Sequence, residues 1–237
     1  MAVRQARSEV ERGQAVYTPL FLKVYDGFVL GLSCRLVWGC PASRLQAHHD
    51  AHVGARHCDV GVGSGYFLDH AAWPEPPTLT LVDLNANSLA ATRRRIGRFD
   101  PAVVRADILE PLPDLPNAPF DSVGVNFLLH CLPGGFPDTA ATVFAHLAPF
   151  VAPGGVVFGA TILGGGVRRP VRARALMAAY NRRGILHNRD DHLDGLTSAL
   201  EGAFASHTVE VEGCVALFAG RTVAADDAAP ADAPDPS

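Results

Sequence analysis

Residues 58–65 read Cys58-Asp59-Val60-Gly61-Val62-Gly63-Ser64-Gly65. A short apolar run ends at Asp59 and passes through glycines at alternate positions into a stretch of helical character. Glycine is required where a backbone takes a positive φ or lies against a ligand with no Cβ between. A strand, such a turn and a helix make the nucleotide-binding corner of an open α/β sheet. The spacing is G-x-G-x-G. The dinucleotide fingerprint wants its third glycine, or an alanine, one residue later, where Tyr66 stands.

Outward from this corner the chain alternates strands with helices. Arg56–Val60 is the first strand, and Tyr66–Ala72 is a helix stopped before Pro74. Leu79–Asp83 is the second strand. Asn85–Gly97 is a helix with Asn85 as N-cap and Gly97 as its stop. Ala102–Arg105 is a short third strand, and the four prolines within residues 110–119 impose a loop. Phe120–Asn126 is the fourth strand, Thr139–Phe150 a helix and Gly155–Ala160 the fifth strand. Helices near 171–182 and 191–203 follow, and then a hairpin of Thr208–Glu212 and Val215–Arg221 around Gly213. This alternation predicts an α/β fold with a mostly parallel sheet, to which the hairpin adds one antiparallel strand. Upstream, residues 19–37 are apolar and aromatic and read as one or two helices, and Pro41 opens another running to about His52. The expected organisation is a helical lid over residues 1–52, one nucleotide-binding domain over 53–223 and a disordered Ala/Asp/Pro tail over 224–237.

The chain has 237 residues, 48% of them hydrophobic, enough for one large domain with a substantial core. Its net charge of −4 gives no global basic field to favour nucleic acid or an anionic membrane. No stretch approaches the length of a membrane span, and the polar N-terminus lacks a secretory signal. The five cysteines are scattered with no C-x-x-C pair, as expected of reduced thiols in a cytoplasmic protein. A homodimer is left open.

In open α/β sheets, ligands bind at the carboxyl ends of the strands. The first strand ends at Asp59 and the glycine turn, and the second at Asp83, suited to accept hydrogen bonds from both ribose hydroxyls. The third is followed by Asp107-Ile108, an acid and an apolar residue that suit an adenine edge and face. The fourth ends at Asn126 and runs into Phe127-Leu128-Leu129-His130. Together with the G-x-G-x-G spacing, this points away from NAD and toward S-adenosylmethionine (SAM).

The arrangement resembles the class I SAM-dependent methyltransferases, over roughly residues 56–222. The motifs that carry the likeness are Asp59-Val60-Gly61-Val62-Gly63-Ser64-Gly65, Leu81-Val82-Asp83-Leu84-Asn85, Ala106-Asp107-Ile108 and Val125-Asn126-Phe127-Leu128-Leu129-His130. The resemblance implies a Rossmann-like seven-stranded sheet of order 3-2-1-4-5-7-6 with helices on both faces. It implies that Asp59, Gly61, Gly63 and Gly65 carry the methionine part of SAM. Asp83 and Leu84 would then meet the ribose, Asp107 the adenine amino group, Ile108 the ring, and Asn126 the surroundings of the sulfonium. Residues 17–26 and 181–191 are similar to a subgroup of secondary-metabolite enzymes.

His130, just past the fourth strand, is the candidate general base, and Tyr17 is the second candidate catalytic residue, expected with Tyr25 to close over the cofactor or line the acceptor pocket. The histidines at 48, 49, 52 and 57 are expected at a solvated helix end and not at a metal. The implied activity is methyl transfer from SAM to oxygen, nitrogen or carbon of a small apolar or aromatic acceptor. Its alternative is a SAM-binding protein that transfers no methyl, either a cyclase-like catalyst or a scaffold subunit.

Overall fold

The computed structural model describes residues 33–225. The expected helices up to residue 32, with Tyr17, and the tail beyond residue 225 lie outside the described residues. Strands Arg56–Val60 (β1), Thr78–Asp83 (β2), Ala102–Arg105 (β3), Phe120–Asn126 (β4), Val151–Ile162 (β5), Ser206–Glu212 (β6) and Val215–Arg221 (β7) form one seven-stranded sheet. Its order, β3-β2-β1-β4-β5-β7-β6, is the predicted one. β1 to β5 pair in parallel, whereas β7 runs antiparallel to both β5 and β6. β1, β2 and β4 are buried almost throughout. Strands covered on both faces read as unbroken apolar runs, whereas β6, at the sheet edge, alternates half-buried and exposed positions.

The helices are Ala42–His52 (α1), Tyr66–His70 (α2), Ala86–Arg95 (α3), Asp138–Leu147 (α4), Val171–Arg182 (α5) and Leu193–Ala203 (α6). Strand side chains alternate between faces. Val125, Val157 and Phe218 pack with Phe144 of α4 and Leu200 of α6. Ala160, Ile162 and Leu217 belong to the opposite layer, with Leu45 of α1 and Met177 of α5. Burying each of the larger of these side chains stabilises the fold by about 1.5–3 kcal/mol.

Three expectations needed correction. α2 ends at His70, not Ala72, because Ala71 is already extended at φ −64° and ψ 137°. β5 begins at Val151 rather than Gly155, since Val151 already pairs with Phe120 before the register shifts. The histidines at 48, 49 and 57 are not solvated, and His52 is half-buried. His48 is 7% exposed and His49 and His57 are fully buried, because α1 lies on the sheet and the three rings cluster around Phe158, edge-on from His48 and His49 and tilted from His57. A neutral imidazole has two apolar faces, and helical periodicity cannot show that they are covered.

The β6–β7 turn closes on the segment leading into α1. The N–H of Cys214 donates to the carbonyl of Trp38 at 2.7 Å. A Cβ at Gly213 would lie 2.2 Å from that same oxygen, so no other residue fits there. Among the described residues, no helix is long and apolar enough to cross a membrane.

Candidate active site

The glycine turn leaves β1 with Gly61, Gly63 and Gly65 all at positive φ, between 52° and 75°. Two of them differ in what surrounds them. A Cβ on Gly65 would meet Thr92 of α3 at 2.8 Å, so this position serves packing. A Cβ on Gly63 would meet nothing within 4 Å. It would project into open space, where a ligand can lie against bare backbone. The Thr92 hydroxyl donates to the carbonyl of Gly63 at 3.2 Å and ties the turn to α3.

Each following strand tip adds one group. At the end of β2, Asp83 Oδ1 accepts from the N–H of Asn85 at 2.8 Å, and Asn85 itself caps α3 through the N–H of Asn87. Burial pushes the Asp83 carboxyl up to about 6, opposed by the backbone N–H groups of Asn85, Gly63 and Val62. Asp59 is 6% exposed; burial pushes it up to about 7, and His49 opposes the shift. Past β3, Asp107 Oδ1 accepts from the N–H of Leu109 at 3.0 Å. The carbonyl of Ile108 is held by His146 Nδ1 at 2.8 Å. At the end of β4, Asn126 presents a buried amide Nδ2 with no hydrogen-bond partner among the described residues. The backbone then turns through Phe127 at φ 55°.

One cleft of about 1140 Å³, its open mouth included, joins these tips. Asp59, Gly61, Gly63, Gly65, Asp83, Leu84, Asp107, Ile108 and Asn126 all line it. The wall is completed by Tyr66, Phe67, Ser88, Phe127, Leu128 and Ile185 among others. Sequence reading had assigned no role to these. Phe127 and Leu128 stood inside a quoted motif, whereas Ile185 comes from the turn after α5 and carries no local signal.

The structure does not bring His130 to the cleft. Its ring is buried, Nδ1 accepts from the N–H of Ile162 at 3.1 Å, and the Thr161 hydroxyl is 3.2 Å away. Burial pushes it down to about 3. All ten histidines lie among the described residues, and none lines the cleft.

Three aspartates and no arginine or lysine are among the described residues that line the cleft. A dinucleotide pyrophosphate would bring negative charge against those carboxyls. A cationic ligand rich in donors (ammonium, ribose hydroxyls, adenine amino group) meets acceptors instead. The open space at Gly63 and the orphan amide of Asn126 also fit a ligand bearing acceptor atoms. These residues therefore suit SAM.

Comparison with known proteins agrees. Residues 58–157 match the family model described as a methyltransferase domain. The chain is 43% identical over 215 residues to demethylluteothin O-methyltransferase of Streptomyces thioluteus, covering 90% of this chain and 93% of that one. The chain belongs to the SAM-dependent methyltransferases. This methyltransferase is also 37% identical over 209 residues to the physcion biosynthesis cluster O-methyltransferase of Aspergillus chevalieri, covering 88% and 94%. Among solved structures, its fold is similar to the DhpI–SAH complex, with a TM-score of 0.64 at 19% identity over 91% of this chain and 97% of that one. The methyltransferase uses SAM as its cofactor and acts on small molecules. Nothing supports the reading as a SAM-binding protein without transfer.

Proposed function

We propose that this methyltransferase methylates a hydroxyl oxygen on a small, apolar or aromatic secondary metabolite. The observation that carries the reading is the convergence of four strand tips on one cleft lined by three aspartates together with apolar and aromatic side chains. The O-methyltransferase relatives from Streptomyces and Aspergillus support oxygen as the acceptor atom.

In this reading the glycine turn and Asp59 hold the methionine part, Asp83 and Leu84 the ribose, Asp107 and Ile108 the adenine, and Asn126 lies beside the sulfonium. Bound SAM supplies a methyl group already activated by the sulfonium. The chain's own work is to align the acceptor and exclude water, and positioning of this kind can supply about 7–11 kcal/mol of the barrier. Phe67, Phe127, Leu128 and Ile185 give the acceptor an apolar wall. The segment ahead of α1 is assigned to the lid, with Tyr17 as a residue of the acceptor pocket.

His130 serves a different purpose from the one its position suggested. Its ring nitrogen is taken by the N–H of Ile162, so it braces the β4 loop against β5. No histidine is among the described residues of the cleft wall, which favours an acceptor hydroxyl acidic enough to lose its proton near neutrality.

The test is S-adenosylhomocysteine formation with a panel of phenols and enols of graded acidity, and matched amines. Turnover should rise with hydroxyl acidity, and NMR of the product should show an O-methyl group. Transfer to the amines alone would overturn the assignment to oxygen.

A further inference from the structure

Behind the glycine turn lies a buried polar group that the reaction as described leaves unused. His57 and Asp59 both point from β1 toward α1. His57 Nδ1 is 2.8 Å from the Ser122 hydroxyl, which also accepts from the N–H of Gly54 at 2.8 Å. His57 Nε2 has no hydrogen-bond partner among the described residues and faces Asp59 Oδ1 at 3.8 Å.

The gap is built by β4. A Cβ on Gly124 would lie 2.7 Å from Asp59 Oδ1 and 3.2 Å from His57 Nε2. Any side chain there would drive carboxyl and ring apart. From α1, His49 packs against the His57 ring with centroids 5.7 Å apart; neither of its buried ring nitrogens has a hydrogen-bond partner among the described residues, and Nδ1 lies 3.9 Å from Asp50 Oδ1. Trp73 closes the group at 5.7 Å from His57, with its own Nε1 likewise unpartnered. Asp59 meanwhile lines the cofactor cleft.

We propose that Asp59, His57 and His49 form a proton-holding unit that links cofactor binding to proton release, with His57 as the residue that positions the Asp59 carboxyl. This rests on the SAM-site reading above.

Without ligand, the dry surroundings favour a protonated Asp59 beside two neutral imidazoles. A cation in the cleft favours the carboxylate, and one proton passes from Asp59 to the buffer. His57 can then turn an Nε2–H toward the new charge, because the Ser122 hydroxyl can serve its Nδ1 as acceptor or donor. The other titratable groups bearing on the unit are Asp50 and His48 beside His49, Cys58 next to Asp59, and Asp83 across the cleft. Burial pushes both imidazoles down, His49 to about 4 and His57 to about 3, so neither carries the charge near neutrality. Asp59, pushed up to about 7 by burial, does.

Calorimetry of SAM binding in buffers of different ionisation enthalpy tests this on the full chain. At pH 7 about 0.5 proton should be released per SAM bound, and almost none at pH 8.5. The observed Kd should weaken about tenfold from pH 7.5 to pH 6. Asp59→Asn should remove most of the release at pH 7, leaving the small share that Asp83 contributes lower on the scale. His57→Phe should move the midpoint of the pH dependence upward by more than about half a unit, and His57→Gln, which restores a polar amide, should bring it back.

A His57 with only a structural role would change thermal stability and leave the midpoint in place, which overturns the proposal. If His57→Phe does not fold, buffer-dependent heats of the unaltered protein still decide. SAM binding with no proton release at pH 7 overturns the proposal and leaves the cofactor site standing. No SAM binding at any pH overturns the cofactor site itself.

Discussion

The strand tips and α1 lie on either side of the same carboxylate, Asp59, yet they are built on opposite logic. At the tips, backbone conformation and acceptor groups are set by something the chain must hold. The positions at 61, 63, 83 and 107 therefore tolerate little and leave a short, local pattern. On α1, residues are set by what covers them. His48 and His49 are polar by composition and sit in a stack of rings against the sheet. A binding surface can thus be read one residue at a time, whereas a packing surface needs its partner in view.

Substitutions can break or sharpen this division. The largest effect should come from the tips. Gly63→Val places a branched side chain in the open space above the turn, and Asp83→Ala removes a buried acceptor. Each should weaken SAM binding by at least about 100-fold by calorimetry, with circular dichroism unchanged. Binding within tenfold of the parent protein would show that the tips are packing like any other.

On the packing side, Leu200→Ala empties a fully buried position in α6. It should cost about 2–5 kcal/mol in urea denaturation and leave the SAM Kd within about threefold. A parallel collapse of affinity would mean that the two regions are one unit.

His130→Ala lies between. The loss leaves the buried Ile162 N–H without its acceptor, so stability should fall by about 1–3 kcal/mol. The pH–rate profile should keep its shape. A fall in turnover of about 10²–10⁴ in a folded variant would return His130 to the role of base. The smallest effect should be that of Arg94→Ala on the exposed face of α3, within about 0.5 kcal/mol of the parent.

The strands were legible because most are apolar runs ending in a turn or a polar group, whereas their order in the sheet came from the family resemblance and not from any run. The residues that line the cleft at 59, 83, 107 and 126 were legible because each sits at or just past such an end. Three things were not. Ile185 reaches the cleft from a turn that no periodicity marks. His130 stands at the right distance along the chain, but the backbone turn at Phe127 precedes it and its ring is directed into the sheet, where it meets Ile162. The buried stack around His49 depends on Trp73 and Phe158, both distant in sequence.

The clasp between Gly213 and Trp38 has a consequence for synthesis. The chain leaves the ribosome from its N-terminus, yet the stretch at 33–40 shares a packed layer with β5, α5 and the final hairpin, and its seat is complete only when that hairpin is present. The early segment must therefore wait, unsettled, for nearly the whole protein to emerge. An arrest-peptide force profile should register its pull only once residues beyond 221 have cleared the exit tunnel.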